Sequence, residues 1–239
     1  MNIILFFIVI FLSNIIQGIT GFAGTILAMP FAIMLVGYNV GKPVLNLLGL
    51  FAGLYVLKSN YKSVNVKELI KIVVVMSLGI FGGIYLKALL VDHQQVLYIA
   101  LGLFIMYISV KGLFFKSKER KTLNPVMTNA MLIVAGIIHG IFVSGGPLVI
   151  SYLTTKINDK TAFRATISTV WVFLNTILFV DDIISGYWTQ ELVILQIIGM
   201  PILFLGMHIG SILYKKMNQE TFMKLSYILL FIAALTLIF

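Results

Sequence analysis

Residues 139–147 read HGIFVSGGP, inside a long apolar stretch, and residues 17–24 read QGITGFAG in the same kind of surroundings. Ser144, Gly145, Gly146 and Pro147 read as an N-cap, a turn and a proline in a first helical turn. A new helix therefore starts where an unbroken membrane helix would otherwise run. QGITGFAG repeats the device with Thr20 and Gly21 before Phe22. Each restart points free N–H groups and the positive end of a helix into the membrane interior. Two such ends facing each other form an anion site. Isolated glycines such as Gly49, Gly53, Gly79 and Gly83 are expected only to let helices pack closely.

The surroundings fix the class of protein. Of 239 residues, 60% are hydrophobic and 10% charged, and the apolar runs recur from end to end, as in a polytopic membrane protein. Eight acidic and seventeen basic residues cannot cover a water-soluble core of this size. With no cysteine there is no disulfide framework, thiolate metal site or cysteine nucleophile, and no cofactor is implied. The opening MNIILFFIVIFLSN lacks the basic n-region and small-residue cleavage site of a signal peptide, so it reads as the first membrane segment.

The expected fold is all-α, with 8 to 10 membrane segments in two inverted-topology repeats, each a broken-helix hairpin plus three transmembrane helices. The first repeat, 1–115, holds a hairpin at 3–36 and helices at 43–58, 66–91 and 95–115. A cytoplasmic linker, 116–125, leads to the second repeat, 126–239, with a hairpin at 126–155 and helices at 164–181, 190–214 and 220–239. Hairpin arms of about 15 residues or fewer would cross only about 20 Å. Fifteen of the seventeen basic residues fall in clusters on one side, leaving Lys42 and Lys87 for the other. That asymmetry reads as cytoplasmic loops in a cell membrane, with both termini outside. The net charge of +9 is thus an orientation signal and not a nucleic-acid surface. Internal similarity supports the division: Gly18 and Gly24 match Gly140 and Gly146, Lys42 matches Arg164, and Gly79 and Gly83 match Gly206 and Gly210.

Candidate substrate-binding residues cluster on the two motifs: Gln17, Gly18, Thr20, Gly21 and Gly24, with His139, Gly140, Ser144, Gly145 and Gly146. Gln17 and His139 hold matching positions and could donate hydrogen bonds to an oxyanion. Arg164 either marks the cytoplasmic border or leans inward as a guanidinium fork. Asn46, Asn175 and Trp171 lie in the paired spans, as pocket lining or interhelical hydrogen bonds. No Asp or Glu falls in mid-span, and Asp181 and Asp182 sit at an external end, which favours an anionic substrate over a cation. The expected partners are a small anion and the lipid bilayer, and the sequence leaves a homodimer open. A passive anion channel could use the same dipoles. An intramembrane hydrolase using Ser144 with His139 is the other alternative, but no carboxylate is placed to orient the imidazole.

These motifs resemble the TauE/SafE family, the sulfite or sulfonate exporters. The resemblance rests on Gly18, Gly21 and Gly24 with Pro30 after them, on GKPVLNLL, on HGIFVSGGP and on FRAT at 163–166. It covers essentially the whole chain and implies transport of sulfite, sulfonates and related organosulfur anions. Two departures stand out: Thr25 follows Gly24 where further glycines are common, and Val143 stands where a glycine is common.

Overall fold

A computed structural model of the chain describes residues 2–90 and 124–238 and, between them, residues 99, 102, 103, 106, 107, 109, 110, 113 and 114. The expected helix 95–115 and linker 116–125 fall largely outside the described residues, and Asp92, Phe239 and the basic residues Lys111, Lys116, Lys118, Arg120 and Lys121 lie wholly outside them. Described residues form helices and no strand. They are α1 (Ile3–Thr20), α2 (Ala23–Val36), α3 (Tyr38–Asn60), α4 (Val66–Leu90), α5 (Pro125–Phe142), α6 (Gly146–Lys156), α7 (Lys160–Ile184), α8 (Gln190–Lys216) and α9 (Gln219–Ile238). Six are long and apolar enough to cross a membrane: α1, α3, α4, α5, α7 and α8. The chain is a multi-pass membrane protein.

Short polar residues set the helix starts. The Asp159 carboxylate accepts from the N–H groups of Thr161 and Ala162 to open α7, and Asn124 with Pro125 opens α5. Between caps the helices turn apolar residues outward as well as inward. On α4, Ile72, Met76 and Ile80 are buried while Ile70, Val74, Leu78, Phe81 and Tyr85 are exposed. A hydrocarbon solvent permits that pattern, and every backbone group inside the helix is satisfied locally.

Two features depart from the sequence reading. The first arms, α1 and α5, have 18 residues each and reach about 27 Å, because Gly18 and Gly140 stay helical and the breaks fall at Gly21 and Val143. Only the second arms, α2 with 14 residues and α6 with 11, are short. Helix α3 begins at Tyr38 instead of 43, since Gly37 ends α2 and Pro43 is carried inside the helix.

Contacts between helices follow one scheme. The two most extensive contacts that join the early helices to the late ones are α4 with α5 and α1 with α8, followed by α3 with α7. Gly206 lies against Phe11 and Asn14, and Gly210, one turn on, against Ile15 and Gly18, so α1 and α8 run in the same sense. Gly79 against Ile133 and Gly83 against Ile137 give α4 and α5 a common sense too. Leu48 on Gly199 and Tyr55 on Phe204 align α3 with α8. Helices α3 and α7 run oppositely: Lys42 meets Asp182, Asn46 meets Asn175, and Gly53 meets Ser168 and Val172.

Glycine makes these contacts close. A Cβ added at Gly18 would lie 2.8 Å from the Met207 carbonyl oxygen, and one at Gly140 would lie 2.8 Å from that of Ile80. The first test sits on one helix. A Cβ at Gly79 would collide with the Ile133 backbone, whereas one at Gly82 finds its nearest neighbour at 3.8 Å. Gly79→Ala is expected to cost about 1–3 kcal/mol, read as a lowered unfolding midpoint in detergent, and Gly82→Ala should match the wild type.

Candidate functional site

The site is built from the two places where a helix stops and restarts. At the first, Gly21 ends α1 with φ +84°, and the Thr20 hydroxyl accepts from the N–H groups of Phe22 (3.3 Å) and Ala23 (3.1 Å). Gln17 completes the seal: its Oε1 accepts from the Gly24 N–H at 2.8 Å. The start of α2 is therefore satisfied by its own hairpin. Glycine at 21 has a steric reason as well, because an added Cβ would lie 2.7 Å from Ser168 Oγ and 3.1 Å from Arg164 Cγ.

The second break reuses the geometry with different chemistry. Val143 ends α5 at φ +54°, the position matching Gly21. Left-handed backbone is unfavourable for a β-branched residue, and surrounding packing holds the strain at a side chain only 3% exposed. Helix α6 then begins at Gly146 with Gly145 as its N-cap and no side-chain cap. Here the sequence reading needs correcting, since Ser144 is not the cap: its hydroxyl donates back to the Phe142 carbonyl at 2.9 Å. His139, the match of Gln17, does not reach back to its own hairpin either. Its Nε2 bonds Asn175 Oδ1 at 3.0 Å, and its ring stacks on Trp171 with centroids 5.2 Å apart.

A cavity lies between the breaks, lined from the first half by Gln17, Phe22, Thr25, Ile26 and Gly49. From the second half come His139, Val143, Gly146, Trp171 and Asn175. Its free volume is about 10 Å³, close to the room one water needs. Trp171 Nε1, a donor with no acceptor capacity, and His139 Nδ1 are buried there without hydrogen-bond partners. Asn175 braces the wall. Besides accepting from His139, it donates to the Asn46 carbonyl (3.3 Å), and the Asn46 amide donates to the Asn175 carbonyl (3.2 Å).

Other candidates serve around the cavity. Gly18 and Gly140 pack against α8 and α4, and Gly24 lies on Gln17. Gly145 presses on the Ala135 carbonyl and on His139 Cβ. Arg164 leans inward but does not line the cavity. Buried to 4% exposure, it donates to the Gly18 carbonyl and Ser211 Oγ and lies 4.4 Å from the centroid of the Tyr214 ring. A guanidinium among the last carbonyls of α1 suits the negative end of that helix. Lys42, expected as an outside marker, is instead buried and ion-paired with Asp182, which is also fully buried. Polarity alone could not reveal this pair, because both residues sit near helix ends. Phe22, Thr25, Ile26 and Val143 were legible only as neighbours of the breaks. Gly49, expected as a packing residue, both lines the cavity and abuts the Asn175 amide.

Comparison with known proteins decides the family. A family model described as Sulfite exporter TauE/SafE matches residues 6–237. The chain belongs to the TauE/SafE family. No curated protein and no solved structure matches it. The family is one of membrane transporters of the sulfite and sulfonate type, and in this TauE/SafE protein the hydroxyl of Ser144 and the imidazole of His139 face different partners. That arrangement gives Ser144 no base.

The brace on the wall supplies a second test. Asn175→Leu removes two hydrogen bonds and strands the His139 N–H. A loss of about 1–3 kcal/mol is expected, measured as a lower unfolding midpoint, with Asn46→Leu less severe because it removes one donated bond and the acceptor of none.

Proposed function

We propose that this TauE/SafE protein is a secondary transporter of small sulfur oxyanions and sulfonates, working by alternating access between two inverted halves. The observation that carries the reading is the cavity where both helix breaks meet, with an uncapped helix start and an unpartnered indole N–H in its wall. Both are hydrogen-bond donors in a place from which water is nearly excluded. Anions bind such donor sets, and a helix N-terminus adds its partial positive charge.

The inverted arrangement is supported by the directions of the helices. Helices α1, α3 and α8 share one sense, and α4 follows α3 after five residues, so that two consecutive membrane spans must run oppositely. Since α5 runs with α4, it opposes α1, its counterpart by sequence. Exchanging the halves also exchanges their contacts: Gly18 on Met207 and Gly210 mirrors Gly140 on Ile80 and Gly83. Pseudo-symmetric halves of this kind can trade conformations to open one site alternately to each side. On this reading the basic clusters at Lys58, Lys62, Lys156, Lys160, Lys215 and Lys216 lie inside, as the excess of positive charge favours, and the Lys42–Asp182 pair lies toward the outside.

With room for about one water, the cavity must widen to admit a sulfur oxyanion, and on this reading binding parts the hairpin tips. That favours a carrier over an open channel. The test is counterflow of labelled sulfite in proteoliposomes. Preloaded sulfite should drive a transient overshoot of label, and Trp171→Phe should raise the half-saturating concentration about tenfold, the worth of one hydrogen bond to a charged acceptor. Flux without overshoot would assign a channel, and an unchanged half-saturation in Trp171→Phe would remove the indole from the site.

A further inference from the structure

The cavity contains one titratable side chain. Of the ten residues lining it, nine are neutral at any physiological pH, and the tenth is His139, 2% exposed. The hydrogen-bond network fixes how that imidazole holds its proton. The Asn175 amide nitrogen donates to the Asn46 carbonyl, so Asn175 Oδ1 is the atom that faces His139, and an oxygen there only accepts. His139 Nε2 must therefore carry hydrogen. In the neutral ring Nδ1 is then a bare lone pair, and it has no partner.

Charge balance follows from this. Nothing in the lining is charged, so an anion entering alone would put an uncompensated negative charge into a site nearly free of water. A second proton on His139 would equally be uncompensated in the empty cavity. Together they neutralise each other, and protonation turns the bare Nδ1 into a donor. Charges on neighbouring helices do not substitute. On α3 the nearest such group is Lys42, already neutralised by Asp182 of α7, and the buried cation of α7, Arg164, is held by Gly18 and Ser211 beneath the first break. The lining residues from α1, α2 and α6 are uncharged, and the α4 residues packed on α5, Met76, Gly79, Ile80 and Gly83, are apolar.

We propose that His139 is the coupling-ion site: it takes up one proton when a monoanion binds and releases it when the anion leaves, so that anion and proton cross together as a neutral pair. The inference rests on the transport reading above and names its coupling ion. By linkage, the anion must tighten proton binding by the factor by which the proton tightens anion binding.

Methanesulfonate is the probe, because a sulfonate stays ionised throughout the pH range and contributes no proton of its own. In proteoliposomes containing a trapped pH dye, its entry should acidify the lumen by one proton per sulfonate. An inward proton gradient should drive accumulation that a potassium–valinomycin voltage clamp leaves unchanged. Half-saturation should rise about tenfold for each pH unit above the range where the imidazole titrates. His139→Gln keeps a donor for Asn175 and should bind methanesulfonate more weakly, with a half-saturation that no longer varies with pH. Wild-type flux without proton movement, a flat wild-type pH profile, or proton movement surviving in His139→Gln would each overturn the assignment. Absence of methanesulfonate and sulfite counterflow in the wild type would overturn the transport reading itself, and the coupling with it.

Discussion

A backbone that leaves the helix inside a membrane must find partners for its N–H and C=O groups without help from water. Everything at the centre of this protein follows from how two breaks meet that demand. At the first break the chain supplies its own answer: Thr20 and Gln17 cover the start of α2, and Arg164 takes the carbonyl of Gly18 near the end of α1. At the second, Phe142 stands where Thr20 would be and the nearby polar side chains are turned elsewhere. Ser144 bonds backward, His139 bonds across to α7, and α6 starts uncovered. One hairpin is thus a sealed wall and the other an open donor surface, although both come from the same sequence pattern.

The seam between α3 and α7 ties these breaks to the rest of the molecule. Its middle is held by the reciprocal Asn46 and Asn175 amides, and one end by the buried Lys42–Asp182 pair. Toward the other end, Gly53 lets the backbone of Ser168 approach, and Arg164 extends from α7 to α1 and α8. The repeat-mates Lys42 and Arg164 therefore brace opposite ends with different chemistry, a carboxylate on one side and neutral acceptors plus a tyrosine face on the other. A buried pair of this kind is costly to part unless both charges find new partners.

Much of this was legible in the sequence because it is written in backbone chemistry. Glycine and proline in apolar runs marked both breaks, and glycines four apart marked the faces on which α1 meets α8 and α4 meets α5. Side-chain destinations were not legible. Whether Ser144 caps forward or bonds backward depends on a single torsion, and Lys42 and Asp182 read as loop markers because their partner lies 140 residues away. The strain at Val143 is likewise a matter of one φ angle, hinted at by its match to Gly21 and by the glycine common at that place in the family.

The central claim is that an anion sits between the uncovered start of α6 and the Trp171 indole. A structure determined with 2-bromoethanesulfonate bound, with the bromine located by anomalous scattering, tests it most directly. The account predicts sulfonate oxygens at hydrogen-bond distance, about 3 Å, from Trp171 Nε1 and the first N–H groups of α6, with both helix breaks retained. A sulfonate found elsewhere, or α5 running unbroken into α6, would contradict it.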